Sequence, residues 1–309
     1  MPPYSDRDGG AVCNLAIARY ATASVARGGH APARSHSTPA DDRLLRAALR
    51  RSPLSNVEAH LANDFPVGAG LGGSSAAGVA LAGALAQLAG VPLPPHALAT
   101  RSRETEVEEL GMPGGYQDHF AAAFGGALLL TFENGDVGVE QIALSADAGA
   151  ALTRRSVLVY TGESRISGDT ITAVRDAYLA GEQHVVDALA RMKALAREMA
   201  SALRAENLDT LGALVGEHWR HQRALHPAIP TARIDAIVYA AARSGALGAK
   251  ALGASGGGCV LAIAADGCED ELAHALAPLG ERLAFTIDTR GFDVLAILED
   301  EDSLQDDDE

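Results

Sequence analysis

The sequence predicts an α+β fold, or mixed α/β layers, on three observations. Helical and strand-like patterns alternate along the chain with mixed lengths and no internal repeat. Ala- and Leu-rich stretches of helical period stop at Gly and Pro, and short apolar or β-branched runs lie between turn residues. With 309 residues and 48% hydrophobic content, the chain can bury a substantial core, as one large domain or two closely packed ones.

Taken in order, the apolar run Ala11 to Val25 reads as strand or buried helix, because its period does not decide between them. A Gly/Pro/Ser-rich loop follows and leads into an amphipathic helix near Asp41 to Arg51. Ser75 to Ala89 is strong helix material stopped by Gly90 and Pro92, and Ala97 to Leu110 forms a second helix ending at Gly111 and Pro113. Strands are expected at Ala127 to Phe132 and Ser156 to Thr161. Thr170 to Leu179, Glu182 to Ala205 and Leu208 to Arg223 carry helical period with charged outer faces. Pro227 and Pro230 break this region, and Thr231 is placed to cap a helix over Arg233 to Ser244. The strand Cys259 to Ala264, a helix over Asp270 to Ala277 and a strand over Asp293 to Leu298 complete the chain.

Composition removes several function classes. The net charge is −15, and residues 299–309 carry eight acids and no base, leaving −7 for the rest. No basic patch stands ready to replace counterions on a nucleic-acid backbone, so nucleic-acid binding is not expected. The acidic end reads as a disordered, solvated tail. No apolar run reaches the roughly 20 residues of a membrane helix, and the first residues lack a signal-peptide pattern, which points to a cytoplasmic protein without a membrane partner. Three cysteines without CxxC spacing, Cys13, Cys259 and Cys268, argue against a disulfide framework.

The chemistry-bearing segment is DFPVGAGLGGSSAAG, with Gly68, Gly70, Gly72 and Gly73 ahead of Ser74, Ser75 and Ala76. Glycines let backbone N–H groups approach phosphate oxygens without an intervening Cβ, and the helix that follows aims its positive end at the same place. The serine hydroxyls can cap the helix, bond a phosphate or ligate Mg²⁺. No Lys follows as in a Walker A loop, and the spacing is not that of a dinucleotide fingerprint. On spacing alone, a tight turn before an Ala-rich helix explains the glycines equally well.

The whole string, including Leu71, resembles the second signature of the GHMP kinases, the superfamily of galactokinase, homoserine kinase and mevalonate kinase, written P-x-x-x-G-L-G-S-S-A-A. The additional Gly73 is similar to the branch of heptose 7-phosphate kinases. GGYQDHFAAAFGG, from Gly114 and Gly115 onward, resembles that branch's G-G-K-Q-D-Q-x-A-A-A-F-G-G. The resemblance implies Asp118 as general base and Glu106 as Mg²⁺ ligand partnered by Ser75. By composition alone, Glu104, Glu106, Glu108 and Glu109 read as a solvated helix face. His119 stands where the branch has Gln, either touching substrate or buried for structure.

GAKALGASGGGC resembles the third GHMP motif, with Ser255 in place of a glycine, and it implies substrate contacts from Lys250, Gly256 and Gly257. Lys250 reads equally as a phosphate support or as a stem along a strand edge. YTGESRISGDTI is similar to the branch's Y-T-G-x-S-R-x-S and offers Arg165 and Ser167 to a substrate phosphate, against a solvent-facing turn as the other reading. PPYSDRDGG, with Tyr4, is similar to the continuation of the first motif, x-G-G-G-T-D-x-P-P-Y, whose glycine run the sequence does not contain. Trp219 reads as core.

The resemblance thus implies the GHMP kinase fold. A ribosomal-protein-S5-like ATP-binding domain (1–155) would pack on a ferredoxin-like α+β domain (156–298), with the tail at 299–309. It implies ATP and Mg²⁺ as cofactors, in a monomer or homodimer that phosphorylates the anomeric hydroxyl of a heptose 7-phosphate. Another sugar such as fucose, or a catalytically weakened binding protein of the same fold, stands as the alternative.

Overall fold

The computed structural model describes residues 2–28, 39–112, 114–133, 135–163 and 168–297. A helical turn, α1 (Tyr4–Arg7), precedes β1 (Gly10–Leu15) and β2 (Ala21–Arg27), so the ambiguous first run is two strands. They part at Arg19 and Tyr20. The Arg19 guanidinium donates to the Ala284 and Asp64 carbonyls, and the Tyr20 N–H donates to Asp64 Oδ1 at 2.7 Å. The amphipathic helix α2 (Pro39–Arg50) and β3 (Val57–Asn63) lead to the glycine loop and α3 (Gly73–Leu88).

Next comes α4 (Pro95–Glu104), whose last turn widens into a π-helical segment, Thr105–Glu109, where one continuous α-helix was expected. The extra residue per turn divides the acids. Thr105 and Glu106 turn inward and are buried, whereas Glu109 pairs with Arg50 at the end of α2, and Glu104 and Glu108 with Arg51 just after it. After α5 (Gln117–Phe124), strands β4 (Ala127–Glu133) and β5 (Asp136–Ile142) form a hairpin, and β1 lies antiparallel to β4 from Gly10 opposite Phe132 to Leu15 opposite Ala127.

The remainder runs α6 (Ala146–Arg155), β6 (Ser156–Tyr160), α7 (Gly168–Leu179), α8 (Gln183–Arg204), α9 (Leu208–Ala224), α10 (Ala232–Arg243), β7 (Ala246–Ala251), β8 (Cys259–Ala264), α11 (Glu269–Leu276) and β9 (Glu281–Arg282). Thr231 caps α10 as expected, its Oγ1 accepting from the Ile234 N–H at 3.2 Å. These strands form an antiparallel sheet in the order β7-β8-β6-β9, beside a three-stranded sheet β1-β4-β5 and a two-stranded β2-β3.

Core packing ties the two halves together. Leu195, Met199 and Leu203 of α8 share one apolar cluster with Ala127 and Leu129 of β4 and Ile263 of β8. Helix α9 meets β7 backbone to backbone, because a Cβ at Gly248 would stand 2.0 Å from the Gly212 carbonyl oxygen. Trp219 is buried in the core under β6 and β8. Strands β1 and β2 each retain an edge with no strand partner among the described residues, and both line one large cavity.

The expected strand Asp293–Leu298 does not form over its described part, 293–297. No neighbouring strand takes up its backbone groups, and Leu295 and Ile297 are 77% and 66% exposed. Phe292 anchors the segment, its ring filling the space that Gly83 leaves on α3. Leu298 and the tail at 299–309 lie outside the described residues. Among the described residues no helix is long and apolar enough to cross a membrane.

Candidate functional site

The glycine loop is built by backbone conformation. Gly68, Gly70 and Gly72 all have φ between 71° and 75°, the left-handed region that side chains disfavour. Gly72 is the N-cap of α3, so the helix is capped without a serine side chain. The first N–H groups of α3 have no acceptor within the helix and are available to an anion at its N-terminus. Gly73 has a packing cause, since a Cβ there would meet the Phe65 ring at 2.4 Å.

The loop is held from behind by the third glycine segment. The Cys259 N–H donates to the Ala69 carbonyl at 2.8 Å, and a Cβ at Gly253 would lie 3.2 Å from the Gly70 Cα. Gly256 and Gly257 are held by close backbone packing. The Gly256 N–H donates to the Ile229 carbonyl, and Gly257 passes so close to the Glu163 carbonyl that a Cβ would stand 2.5 Å from it. Ser255 is left-handed at φ 70°, and its buried Oγ has no partner among the described residues.

Beside the start of α3, the π-helical turn delivers Glu106. Its hydrogen-bond partner is Ser74, whose Oγ donates to Glu106 Oε1 at 2.6 Å. Ser75, buried one residue further round the helix, turns its Oγ to His119 Nε2 at 3.3 Å. That Nε2 also lies 3.0 Å from Glu106 Oε2, and Nδ1 lies 2.9 Å from the Ser102 Oγ. A carboxylate only accepts, so Nε2 carries the proton and donates to Glu106. Burial raises the Glu106 carboxyl, but His119 and Ser74 more than offset it, and the group sits below its usual range. His119 is therefore a buried orienting residue.

Asp118, in the first turn of α5, packs against the loop so tightly that a Cβ at Gly72 would stand 2.9 Å from its own Cβ. Burial raises its carboxyl above the usual range and Glu106 adds to this, while His119, Gln117 and Lys250 pull the other way. Lys250 on β7 is pushed down to about 8 by burial, with Asp118 opposing the shift. Gly115 gives room to the Gln117 side chain, whose Oε1 would be 2.2 Å from a Cβ there. The loop residues with Leu71 and Ala76, together with Glu106, Asp118 and Lys250, line a cavity of about 1930 Å³. That exceeds the ~300–1,000 Å³ of a single small-ligand pocket.

Tyr4 is buried in the core, edge-on to Tyr178 at 5.4 Å between ring centroids. Arg165 and Ser167 lie outside the described residues. Sequence reasoning passed over Asn14, whose Nδ2 donates to the Gln117 carbonyl at 2.9 Å and fixes the residue before Asp118. An asparagine inside the apolar run AVCNLAI was the available signal.

The donor set of Ser74 and Glu106 fits a hard divalent cation such as Mg²⁺, which takes few protein oxygens and completes its shell with phosphates and water. Among the described residues no cluster of three or more His, Cys, Asp or Glu side chains forms a self-sufficient metal cage.

Comparison with known proteins identifies the family. Residues 42–126 match the family model for the GHMP kinases N terminal domain and residues 199–278 that for the GHMP kinases C terminal domain, together more than half of the chain. The chain is 32% identical over 209 residues to a D-glycero-alpha-D-manno-heptose 7-phosphate kinase of Campylobacter jejuni, covering 67% of this chain and 61% of that protein. It is 30% identical over 213 residues to a mevalonate kinase of Pyrococcus furiosus, covering 67% and 60%. The chain thus spans about three-fifths of the length of these relatives. The crystal structure of a D-glycero-D-manno-heptose 1-phosphate kinase from Bacteriodes thetaiotaomicron superposes with a TM-score of 0.71 at 23% identity, over 96% of this chain and 94% of that one, a likeness of fold. By its two matched domains and its α+β architecture, the chain belongs to the GHMP kinase family.

Proposed function

We propose that this chain is an ATP-dependent small-molecule kinase that transfers the γ-phosphoryl group to the anomeric hydroxyl of a heptose 7-phosphate. The observation that carries the reading is the juxtaposition at the start of α3. The Ser74–Glu106 pair lies at the first turn of α3, and Asp118 packs against Gly72, the N-cap of the same helix. Phosphoryl transfer asks for N–H donors around the phosphates, a cation site and a carboxylate that accepts the acceptor's proton. Here the loop N–H groups at Gly70 to Ser75 cradle the donor phosphates, and Asp118 orients the sugar hydroxyl and receives its proton. Ser74 and Glu106 would hold a Mg²⁺ ion, which when bound would neutralise the triphosphate charge.

In this reading the half up to residue 155 binds nucleotide, and residues 156–298 complete the acceptor side. Support for a heptose phosphate comes from the Campylobacter jejuni relative and from the strings GLGGSSAAG and GGYQDHFAAAFGG. The likeness to mevalonate kinase favours a second reading, in which the acceptor is a hydroxy acid. The test is ADP release with ATP and Mg²⁺ across a panel of heptose 7-phosphates, free sugars and R-mevalonate. Turnover confined to phosphorylated heptoses supports the proposal, and silence across all sugars sinks it.

A further inference from the structure

His119 is only 1% exposed, so its ring nitrogens must find partners within the protein. Nε2–H donates to Glu106 Oε2 at 3.0 Å, with Ser75 Oγ a longer contact at 3.3 Å. Nδ1 lies 2.9 Å from the Ser102 Oγ. With the ring proton on Nε2, Nδ1 is an acceptor, and the Ser102 hydroxyl donates to it. That hydroxyl stands farther, at 3.3 Å, from the Ser75 carbonyl. Ser102 is itself buried, and α3 leaves space for it at Gly78, where a Cβ would come within 2.3 Å of the Ser102 Oγ.

Ser102 sits in the last turn of α4, and Glu106 in the π-helical segment that continues it. His119, carried by α5, spans the two with its two nitrogens. π-helical turns are rare and concentrate at functional sites, and this one is tied by an imidazole across its start. A free glutamate side chain samples many rotamers. Glu106 is held instead by two donors from different helices, Ser74 of α3 on Oε1 and His119 of α5 on Oε2. Each carboxylate oxygen has a second lone pair, so both keep capacity for a cation while the carboxylate plane is fixed.

We propose that Ser102 and His119 are positioning residues for the cation site: Ser102 sets the tautomer of the imidazole, and the imidazole aims the Glu106 carboxylate. Outer partners of this kind orient metal ligands, and their loss weakens metal binding by roughly ten- to a hundredfold. A histidine kept only for packing would tolerate an apolar side chain of similar volume, whereas a donor to Glu106 would not. The inference rests on the reading of Glu106 as a Mg²⁺ ligand.

Mn²⁺ binding to the ADP complex, followed by electron paramagnetic resonance, reads the site without turnover. His119→Leu removes the donor, whereas His119→Gln keeps an N–H for Glu106 and an oxygen for the Ser102 hydroxyl. The Mn²⁺ dissociation constant should rise about tenfold or more in His119→Leu and stay within about threefold of wild type in His119→Gln. Equal weakening in the two variants, or none in folded His119→Leu, overturns the positioning role. A second readout uses metal-free wild-type protein with ¹⁵N-labelled histidines, the His119 ring being assigned by loss of its signals in His119→Gln. Nε2 should be protonated and Nδ1 an unprotonated acceptor, and Ser102→Ala should move the Nδ1 signal. A proton on Nδ1, or signals indifferent to Ser102→Ala, overturns the proposal even where His119→Leu fails to fold. Wild-type protein that keeps this tautomer but binds no Mn²⁺ removes the cation site and the kinase reading with it. Mn²⁺ binding indifferent to His119 removes the positioning role alone.

Discussion

Replacing Gly72 by alanine tests the contact between loop and carboxylate directly. Gly72 has φ 75°, and the new Cβ would stand 2.9 Å from the Asp118 Cβ. Ordinary carbon contacts lie at about 3.5–4.0 Å, so Asp118 or the loop must retreat by roughly 0.6–1.1 Å. A displacement of about 1 Å at a reacting group costs on the order of a hundredfold in rate. The left-handed backbone adds a separate penalty of roughly 1–2 kcal/mol in stability. Gly90→Ala isolates that second effect, because Gly90 has φ 72° with nothing within 4 Å of the added atom. Coupled ADP-release assays and thermal melts on both variants separate the two contributions. Both should lose stability to the left-handed backbone, Gly72→Ala further through its clash with Asp118, and Gly72→Ala alone should lose about ten- to a hundredfold in kcat. If kcat of Gly72→Ala falls within twofold of Gly90→Ala, the placement of Asp118 as the acceptor's base is refuted.

Asp118→Asn should lower kcat by roughly 10²–10⁴-fold while nucleotide affinity, read by calorimetry, stays within about threefold. Ser74→Ala should raise the Mg²⁺ concentration needed for half-maximal activity. Ser75→Ala, whose Oγ is buried on His119, should lower the melting temperature and leave the Mg²⁺ dependence in place. The Lys250 ammonium, held at about 8 against an ordinary 10.5, loses its charge as pH rises through 8. The KM for a phosphorylated sugar should therefore climb above that pH. Between about 8 and 10.5 the unfolded chain binds more protons at this lysine than the folded one, so its contribution to stability rises with pH across that window. A Lys250→Met variant should lose both trends, as followed by pH-dependent kinetics and urea unfolding.

Much of this architecture was legible because local pattern and burial agree. The helices after Pro95 and Thr231 follow their stop and cap residues, and the Cys259–Ala264 strand is apolar because it is central to its sheet. β3 (VEAHLAN) was passed over because its inward positions include Ala, a weak strand former, and its pairing to β2 supplies what local propensity does not. Asp293–Leu298 misled in the opposite sense: its residues favour a strand, but a strand needs a neighbour. At the site, the glycine loop and its acids were readable as a string, whereas the choice of Ser74 over Ser75 was not. Adjacent positions on a helix point about 100° apart, and only the π-helical turn that carries Glu106 decides which hydroxyl meets it. The glycines at 256 and 257 read as chemical in the string, and their packing on Ile229 and Glu163 is a separate constraint that the string does not display.

The central claim is that Asp118, the Ser74–Glu106 pair and the glycine loop together transfer a phosphoryl group to a sugar phosphate. ³¹P NMR of the chain incubated with ATP, Mg²⁺ and D-glycero-D-manno-heptose 7-phosphate tests it most directly. A second sugar-phosphate resonance, coupled to an anomeric proton and growing in step with ADP, is the predicted result, and Asp118→Asn should abolish it. ATP and sugar signals unchanged over hours in folded wild-type protein, or the same product rate from Asp118→Asn, would contradict the account.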